Sequence, residues 1–256
     1  GKVVWITGAS SGIGEATAKA MAEKGAKLIL SARRSDELQR VKSEINEGEV
    51  KILPLDLSDS DSFATKSEEA ISFFGGVDIL FNNGGISQRG YARETSLDVY
   101  RRIMEVNFFG NIGLTLTMLD HLRDRHGHIV VTSSLVGKFG TPVRTGYAAS
   151  KHSLHGFYDS LRAEEWPDLK VTIVCPGYVQ TSITKNSLTG TGEVYNKVDG
   201  IIAGGLNPEK VAQRVISAVQ KNKNEVIIAG KEGYAVMIKR FFPRLFGGRV
   251  RKLKIY

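Results

Sequence analysis

The chain of 256 residues contains a single cysteine, Cys175, and therefore cannot form a disulfide within itself. A lone thiol is typical of a protein from a reducing compartment. The sequence also lacks any apolar run of the roughly 18 residues that a membrane-spanning helix needs. No stretch rich in proline, serine or charge divides the chain. We therefore expect one large domain in a cytoplasmic protein. Because the first apolar run begins at Val3, we expect no secretory leader, while an anchor removed from before Gly1 stays open.

The chain also lacks the residue spacing of a metal site. Three of its five histidines follow or end a helical pattern, and the other two flank a single helix. Surface or packing roles are therefore expected for all of them, which are His121, His126, His128, His152 and His155.

Acidic residues are scarce at one end of the chain. The net charge is +8, and the last 26 residues hold eight Lys and Arg against one acid, Glu232, so that seven of the net charges lie there. The rest of the chain is nearly neutral. This distribution argues against a basic globular face that binds nucleic acid.

A glycine-rich turn is the most informative feature that is present. It follows the apolar run from Val3 to Ile6 and precedes a helical pattern that Gly25 ends. Such a turn directs backbone N–H groups and the positive end of a helix dipole at one point, which suits a pyrophosphate. Alone, the spacing marks an ordinary tight turn about as often. The predicted nucleotide contacts are Gly8, Ser10, Ser11, Gly12, Ile13 and Gly14.

Two arginines stand where the adenosine ribose would be recognised. An acidic residue about 20 positions past the glycines would bind the ribose 2′-hydroxyl, but Arg33 and Arg34 occupy that place. Two guanidinium groups suit a 2′-phosphate, so NADP(H) is favoured over NAD(H). The alternatives are a solvated basic turn, or Asp36 as ribose ligand, although Ser35 and Asp36 fit a helix cap and first turn.

Seven apolar runs alternate with helical patterns, which predicts a single-domain α/β fold of the Rossmann type, a doubly wound parallel seven-stranded sheet flanked by helices. Two of the runs are followed by polar groups that can face a cofactor. These are the side chain of Asp56 with the backbone of Leu57, and the segment Asn82-Asn83-Gly84-Gly85. A long helix is predicted from Ser96 to Leu122. The strands are predicted at Val3–Ile6, Lys27–Ser31, Val50–Leu55, Val77–Phe81, Ile129–Thr132, Val171–Cys175 and Glu225–Ala229.

Tyr147 and Lys151 lie four residues apart on a predicted helix that runs to about Trp166. At that spacing the phenol and the ammonium share one helix face. A neighbouring cation favours the phenolate, which makes tyrosine a usable acid or base. Most isolated Tyr-x-x-x-Lys pairs are structural, but Ser134 follows a predicted strand shortly before this pair, and Asn107 lies in the preceding helix.

Together these motifs resemble the short-chain dehydrogenase/reductase family, from Lys2 to about Gly230. The stretches at Lys2–Trp5, Leu30–Arg34 and Asn82–Arg89 further resemble its membrane-associated carbonyl reductases that act on steroids and retinoids. A departure is Gly85, where alanine is usual in the family. The motifs are Thr7-Gly8-x-x-x-Gly12-x-Gly14, Asp56, Asn82-Asn83-Gly84, Asn107, Ser134, Tyr147-x-x-x-Lys151 and Pro176-Gly177-x-Val179-x-Thr181.

The resemblance implies roles for individual residues. Tyr147 would be the acid/base, Lys151 would lower its pKa and bind the nicotinamide ribose, and Ser134 would bond the carbonyl oxygen. Asn107 would hold a water of a proton relay, and Thr181 would contact the carboxamide. The resemblance also adds cofactor contacts at Asn83, Gly84, Pro176, Gly177 and Val179.

We therefore expect a NADP(H)-dependent oxidoreductase that transfers hydride between the nicotinamide and a carbonyl or secondary alcohol. A hydrophobic substrate is favoured by apolar residues around the predicted pocket, which are Ile86, Leu135, Val136, Phe139, Val143 and Tyr178. The alternatives are a 3-oxoacyl-carrier-protein reductase, and a catalytically silent NADP-binding regulatory or scaffold protein.

The predicted organisation is a catalytic domain over 1–230, with a substrate lid over 177–207 whose glycines suggest mobility, and a tail over 231–256. The apolar face of the long helix, with Phe108, Ile112, Leu116 and Leu119, predicts a homodimer or homotetramer. The tail combines aromatic and basic residues. Either its apolar side chains pack on the protein, or the tail makes peripheral contact with a membrane.

Overall fold

A seven-stranded sheet runs through the structure, a computed structural model that describes residues 1–197 and 204–252. Every strand pairs with its neighbours in parallel, in the order β3-β2-β1-β4-β5-β6-β7. This confirms the predicted doubly wound sheet. The strands are Val3–Thr7 (β1), Lys27–Ser31 (β2), Val50–Ile52 (β3), Ile79–Asn82 (β4), His128–Thr132 (β5), Lys170–Pro176 (β6) and Glu225–Ile228 (β7).

The third strand is shorter than predicted. The apolar pattern continues to Leu55, and the N–H groups of Leu53 and Leu55 still bond to the carbonyls of Leu30 and Ala32. Pro54 lies between these two donors, so its nitrogen faces away from β2, on the free edge of the sheet, where proline is tolerated. The regular strand ends at Ile52, although these two hydrogen bonds continue beyond it.

Helices cover both faces of the sheet. They are Gly12–Ala22 (α1), Ser35–Ser43 (α2), Phe63–Phe74 (α3), Leu97–Met104 (α4), Gly110–Asp124 (α5), Thr145–Glu164 (α6), Pro208–Gln220 (α7), Tyr234–Phe241 (α8) and Pro243–Val250 (α9). Ser35, predicted as a cap, is instead the first residue of α2, and Arg34 holds the cap position. The helical segment that precedes β4 starts with a 3₁₀ turn at Ser60–Ser62 and becomes α-helical at Phe63.

The long helix predicted from Ser96 to Leu122 exists but is not uniform. Ser96 caps α4 by accepting a hydrogen bond from the N–H of Val99. A π-helical turn, Glu105–Phe109, then separates α4 from α5. Such turns insert an extra residue into a helix and are frequent at functional sites. This one contains Asn107.

Two apolar layers form the core, one on each side of the sheet. Successive strand residues point to opposite faces, so Val4 and Ile6 pack towards α1 and α7 while Val3 and Trp5 pack towards α3, α5 and α6. Both layers are buried, as expected for a parallel sheet.

The tail is partly packed on the body. Phe246 is buried against Leu135 and Phe139, and Val236 and Ile238 lie beside it. The opposite side of the tail helices is exposed. Within the described residues, no helix has the length and apolar character needed to cross a membrane. The predicted tail residues Lys254 and Tyr256 lie outside the described part of the chain.

All seven strands end at one edge of the sheet because all are parallel. The chain runs outwards from β1 through β2 and β3, then returns to place β4 on the other side of β1. At this reversal the connections leave in opposite directions and open a crevice, which is where doubly wound folds bind ligands.

Candidate active site

The glycine-rich turn forms one wall of this crevice. Gly8 has φ +64° and Gly12 φ +60°, backbone conformations that favour glycine. The first turn of α1 follows at once, so its free N–H groups face the crevice. A Cβ on Gly14 would lie 2.3 Å from the carbonyl oxygen of Gly8 and 2.6 Å from Asn83 Nδ2. Gly14 therefore lets the start of the helix approach the strand ends.

Thr7 and Asn83 join the ends of β1 and β4. The hydroxyl of Thr7 accepts hydrogen bonds from the N–H groups of Asn83 and Gly84, both at 3.0 Å. Asn83 Nδ2 donates to the carbonyls of Thr7 and Gly8, at 3.2 and 3.3 Å. The Thr132 hydroxyl, at the end of β5, donates to Asn83 Oδ1 at 3.1 Å. The predicted amide of Asn83 thus holds three strand ends together.

A cleft of about 630 Å³ lies over these strand ends. Its volume is in the range of small-molecule and cofactor sites. Nearly all the predicted site residues line it, namely Gly8, Ser10, Ser11, Gly12, Ile13, Arg33, Arg34, Asp56, Leu57, Asn83, Gly84, Ser134, Tyr147, Lys151, Pro176, Gly177, Val179 and Thr181. Gly14 and Asn107 do not line the cleft and lie behind its wall.

One end of the cleft is rich in arginine. Arg33 and Arg34 lie there, exposed, after β2. Burial opposes the charge of the Asp56 carboxylate, but hydrogen bonds from Ser58 and the charges of Arg33 and Arg102 outweigh it and lower the pKa of Asp56. Arg102 of α4 was not predicted. The sequence gives no signal for it, because only the packing of α4 brings it to β2 and β3.

Ser134, Tyr147 and Lys151 meet at the other end. Tyr147 is buried and hydrogen-bonded to Ser134. Two cations lie near its ring, with Arg144 Cζ at 5.7 Å and Lys151 Nζ at 5.8 Å from the ring centroid. Lys151 Nζ donates to the carbonyl of Thr132 at 2.7 Å. A phenol, a hydroxyl and an ammonium therefore share one corner of the cleft.

Burial governs the protonation of this corner. Burial raises the pKa of Tyr147, and the charge of Arg144 and the hydrogen bond with Ser134 oppose that rise. Burial also lowers the pKa of Lys151 to about 8. Arg144, which lines the cleft and was not predicted, is thus a cation that favours the phenolate in this structure.

Asn107 has partners for its side chain within the protein. Its Oδ1 accepts from the N–H of Ile86 at 2.8 Å, and its Nδ2 donates to the carbonyl of Ile86 at 2.8 Å and to Ser150 Oγ at 3.0 Å. A Cβ on Gly85 would lie 3.0 Å from Asn107 Oδ1. The glycine found here in place of alanine thus leaves room beside Asn107.

Only some of the apolar residues predicted around the pocket lie there. Ile86 and Tyr178 line the cleft, whereas Leu135 and Phe139 pack under the tail and Val136 packs against Tyr147. Val143 is buried with φ +58° and does not line the cleft. The apolar lining comes instead from Val106, Ile183, Leu188 and Val194.

The segment predicted as a lid forms one side of the cleft, and part of it is fixed. Leu188 bonds through its N–H and carbonyl to Ser87 and Arg89, and the carbonyl of Gly190 accepts from the N–H of Ser96. A Cβ on Gly190 would lie 2.3 Å from the carbonyl oxygen of Glu94. This glycine therefore permits close packing rather than mobility. Gly200 lies outside the described residues.

Two of the histidines have the packing roles that were predicted. His121 Nε2 accepts from the N–H of Val77 at 3.0 Å, and buried His128 bonds to Thr172 at 2.8 Å. Burial and the charge of Lys170 lower the pKa of His128 to about 4. In the part of the chain that the structure describes, a metal-like set of side chains occurs once, at His155, Cys175 and Glu225.

Known proteins resemble this chain in sequence and structure. A family model described as short chain dehydrogenase matches residues 2–191. A dehydrogenase/reductase SDR family protein 7-like of Anopheles gambiae is 47% identical over 238 residues, which cover 90% of this chain and 75% of that protein. An alcohol dehydrogenase from Thermococcus sibiricus, solved in complex with 5-hydroxy-NADP, has 28% identity and a TM-score of 0.78, covering 90% of this chain and 97% of its own. A Burkholderia phymatum short chain dehydrogenase/reductase in complex with NAD has a TM-score of 0.85 at 23% identity, and the match covers 96% of this chain and 95% of that one. This similarity supports the fold.

We predict that Gly14→Ala destabilises the protein by about 1–3 kcal/mol, because the new methyl would overlap the carbonyl of Gly8 and the amide of Asn83. Urea unfolding would measure the change. Gly156→Ala is the matched control, since Gly156 is exposed in α6 and a Cβ there meets nothing within 4 Å. It should raise stability by about 0.5–1 kcal/mol. Equal losses in both variants would contradict the close approach at Gly14.

Proposed function

Because this chain belongs to the short-chain dehydrogenase family, we propose that it is a NADP(H)-dependent oxidoreductase acting on a carbonyl or secondary alcohol of a hydrophobic compound. The observation that carries the proposal is the convergence of Ser134, Tyr147 and Lys151 in the cleft that begins at the glycine-rich turn. The reacting groups and the nucleotide loop thus share one site.

The residues present fit a dinucleotide. Two glycines keep side chains out of the floor of the cleft. A Cβ on Gly12, in the glycine-rich turn, would lie 2.8 Å from Thr181 Cγ2, and a Cβ on Gly84, after β4, would lie 2.6 Å from Leu57 Cδ1. Backbone N–H groups at the start of α1 would hold the pyrophosphate. Arg33 and Arg34 would hold a 2′-phosphate.

The mechanism assigns one task to each polar side chain of the corner. When bound, the nicotinamide supplies or accepts the hydride. Tyr147 donates its proton to the carbonyl oxygen during reduction and accepts it back during oxidation. The Ser134 hydroxyl bonds the same oxygen and orients it. Lys151 and Arg144 place positive charge beside the phenol, which stabilises the phenolate left after proton transfer.

We propose a hydrophobic substrate because Val106, Ile183, Leu188 and Val194 line the cleft. The experiment is a panel of steroids, retinals, aliphatic ketones and 3-oxoacyl thioesters, with NADPH oxidation followed optically. Turnover of steroids or retinals supports the proposal. Turnover of thioesters alone would favour an acyl-thioester reductase, and binding of NADPH without turnover of any compound would favour a silent binding protein.

We predict that Tyr147→Phe lowers kcat by about 10²- to 10⁴-fold, because phenylalanine has no proton to give. The variant should still bind NADPH, since only the hydroxyl is removed, and fluorescence titration would measure this affinity. Tyr158→Phe is the matched control. Its hydroxyl is buried among Thr115, Asn82 and Asn111, outside the cleft, so it should affect stability and leave kcat nearly unchanged. A normal kcat for Tyr147→Phe would require another proton donor.

The preference for NADP(H) is proposed from Arg33 and Arg34, and the similar archaeal dehydrogenase solved with 5-hydroxy-NADP supports it. Arg33→Asp should weaken NADPH binding by roughly 10- to 100-fold, as expected for loss of a charged hydrogen bond, and should favour NADH. Affinity is measured by fluorescence titration with both cofactors. Arg123→Asp, in the last turn of α5, controls for the change in net charge. Equal affinity of the wild type for both cofactors would overturn this proposal.

We also propose a homodimer or homotetramer through the face that α5 shares with the π-helical turn before it. Phe109 of the turn and Leu116 of α5 are 50% and 53% exposed there, next to half-buried Phe108, Ile112 and Leu119. Large apolar side chains exposed together mark a contact surface. The particle mass in light scattering distinguishes this assembly from a monomer.

Finally, we propose peripheral membrane contact through the outer face of α8 and α9. Five large side chains on it are 51–72% exposed, namely Tyr234, Met237, Phe241, Phe242 and Leu245. Basic residues lie among them, including Lys239, Arg240 and Arg244. Aromatic groups can enter the headgroup boundary while cations attract anionic lipid, with roughly 1 kcal/mol for each cation near the surface.

We predict that the full chain co-sediments with anionic vesicles at low salt and less so at high salt. The double variant Phe241→Ser, Phe242→Ser should lose most of this binding, because its charges are intact but its apolar contacts are gone. Trp166→Ser, at a side chain that is exposed elsewhere, should bind like the wild type. If all three proteins bind equally or not at all, the outer face of the tail is not a lipid contact.

A further inference from the structure

Behind the catalytic corner lies a second set of polar side chains. Ser133 and Ser134 are consecutive, so they point to opposite sides of the chain. Ser134 faces Tyr147, whereas the Ser133 hydroxyl lies 3.1 Å from the main-chain oxygen of Lys151 and 2.9 Å from His155 Nε2. Both Ser133 and His155 are buried. The back of the catalytic helix is therefore tied to the strand that carries Ser134.

His155 continues this contact to the protein surface. Its Nδ1 lies 3.5 Å from Glu225 Oε2, and Glu225 in turn pairs with Lys138. Burial and the charge of Lys138 lower the pKa of His155 to about 4, against the charges of Glu225 and Asp159. The imidazole is therefore neutral at neutral pH and carries a proton on one nitrogen only.

The hydrogen-bond inventory selects the tautomer. Ser133 has one hydroxyl proton, and the carbonyl of Lys151 can only accept. If His155 carries its proton on Nε2, it donates to Ser133 and Ser133 donates to Lys151, so both contacts are hydrogen bonds. If the proton is on Nδ1, Ser133 must donate to His155 and the carbonyl loses this donor. The Nε2–H form leaves buried Nδ1 as an acceptor without a hydrogen-bond partner, because the Glu225 carboxylate 3.5 Å away cannot donate to it.

A metal ion is a weaker explanation of the same side chains. His, Cys and Glu are zinc ligands, and Cys175 Sγ lies 3.7 Å from His155 Nε2. Glu225, however, faces the other ring nitrogen and is paired with an ammonium. Burial raises the pKa of Cys175 to about 12, so it is a thiol rather than a thiolate. The arrangement is that of a hydrogen-bonded chain.

Gly137 leaves room for the hydrogen bonds between Ser133, His155 and Lys151. A Cβ there would lie 2.4 Å from Ser133 Oγ, 2.9 Å from the oxygen of Lys151 and 3.0 Å from His155 Nε2. These three atoms are the ones that the two hydrogen bonds of Ser133 join. Gly137 ends the 3₁₀ turn that begins directly after Ser134, so the same short segment serves both sides of the site.

We propose that His155 and Ser133 form a brace that positions the main chain of Lys151, and that both act as positioning residues. The brace fixes one turn of α6 against β5, and Lys151 then reaches Thr132 and the cleft from a fixed backbone. This inference rests on the proposed function, in which Lys151 supports Tyr147, and on the contact with the nicotinamide ribose that the family resemblance implies for Lys151. Loss of the brace should therefore weaken cofactor binding as well as turnover.

Substitutions at His155 test the brace by NADPH titration and steady-state kinetics. His155→Phe keeps a ring but has no donor, and it should raise the Kd of NADPH and lower kcat by about 3- to 10-fold, as for one lost hydrogen bond. His155→Gln retains an N–H donor, so its Kd for NADPH and its kcat should lie close to those of the wild type. His152→Phe is the control, because His152 bonds to the carbonyl of Ala148 in the same helix and lies outside the brace. Equal Kd and kcat in the Phe and Gln variants would overturn the proposal.

Two further measurements keep the test independent of folding defects and of the proposed activity. Ser133→Ala removes the middle link with a smaller change and should reproduce the effect of His155→Phe, while Ser133→Thr should not. Nitrogen-15 NMR of the wild-type imidazole should show the proton on Nε2 at neutral pH, with or without zinc. A proton on Nδ1, or a zinc-dependent shift, would refute the brace. Absence of NADPH binding by the wild type would instead refute the proposed function.

Discussion

The contact between Thr7 and Asn83 holds together the part of the structure on which the rest depends. The connections that follow the parallel strands β1 and β4 leave in opposite directions and open a crevice there, and unpaired main-chain groups in it would be costly. Thr7 accepts the two N–H groups that follow β4, and Asn83 pairs with the carbonyls that follow β1. The crevice thus stays open without leaving those groups unsatisfied. The glycine-rich turn, the arginines and the catalytic corner are all placed relative to this joint.

Burial sets the protonation of the catalytic corner, and it acts on the two main groups in opposite senses. It favours the neutral forms, so it raises the pKa of Tyr147 and lowers that of Lys151 to about 8. The phenol therefore holds its proton at neutral pH, which is the state that carbonyl reduction needs. The charge of Arg144 limits the cost of giving that proton away. The Tyr147-x-x-x-Lys151 motif thus depends on Arg144, a cation that lies outside the motif.

The sequence predicts the fold well because apolar runs and glycine turns report on local structure. Val50–Leu55 is the instructive exception, since the regular strand ends at Ile52 while its apolar pattern and two hydrogen bonds to the neighbouring strand continue to Leu55. Arg102 and Arg144 could not be predicted as cleft residues, because only the packing of α4 and α6 brings them there. Leu135 and Phe139 were expected in the pocket and lie under the tail instead. Hydrophobicity predicts that a side chain is buried, and it does not predict against which element.

The two interpretations of the tail concern different faces of the same helices. Phe246 packs on Phe139 with ring centroids 5.1 Å apart, while Phe241 and Phe242 point outwards. The base of the tail is also attached to the cleft, because Glu232 accepts hydrogen bonds from the N–H groups of Tyr178 and Gly230. Gly177 and Tyr178 line the cleft. The outer face is therefore held at a fixed position relative to the cleft wall, so a surface that binds this face would also set the orientation of the cleft.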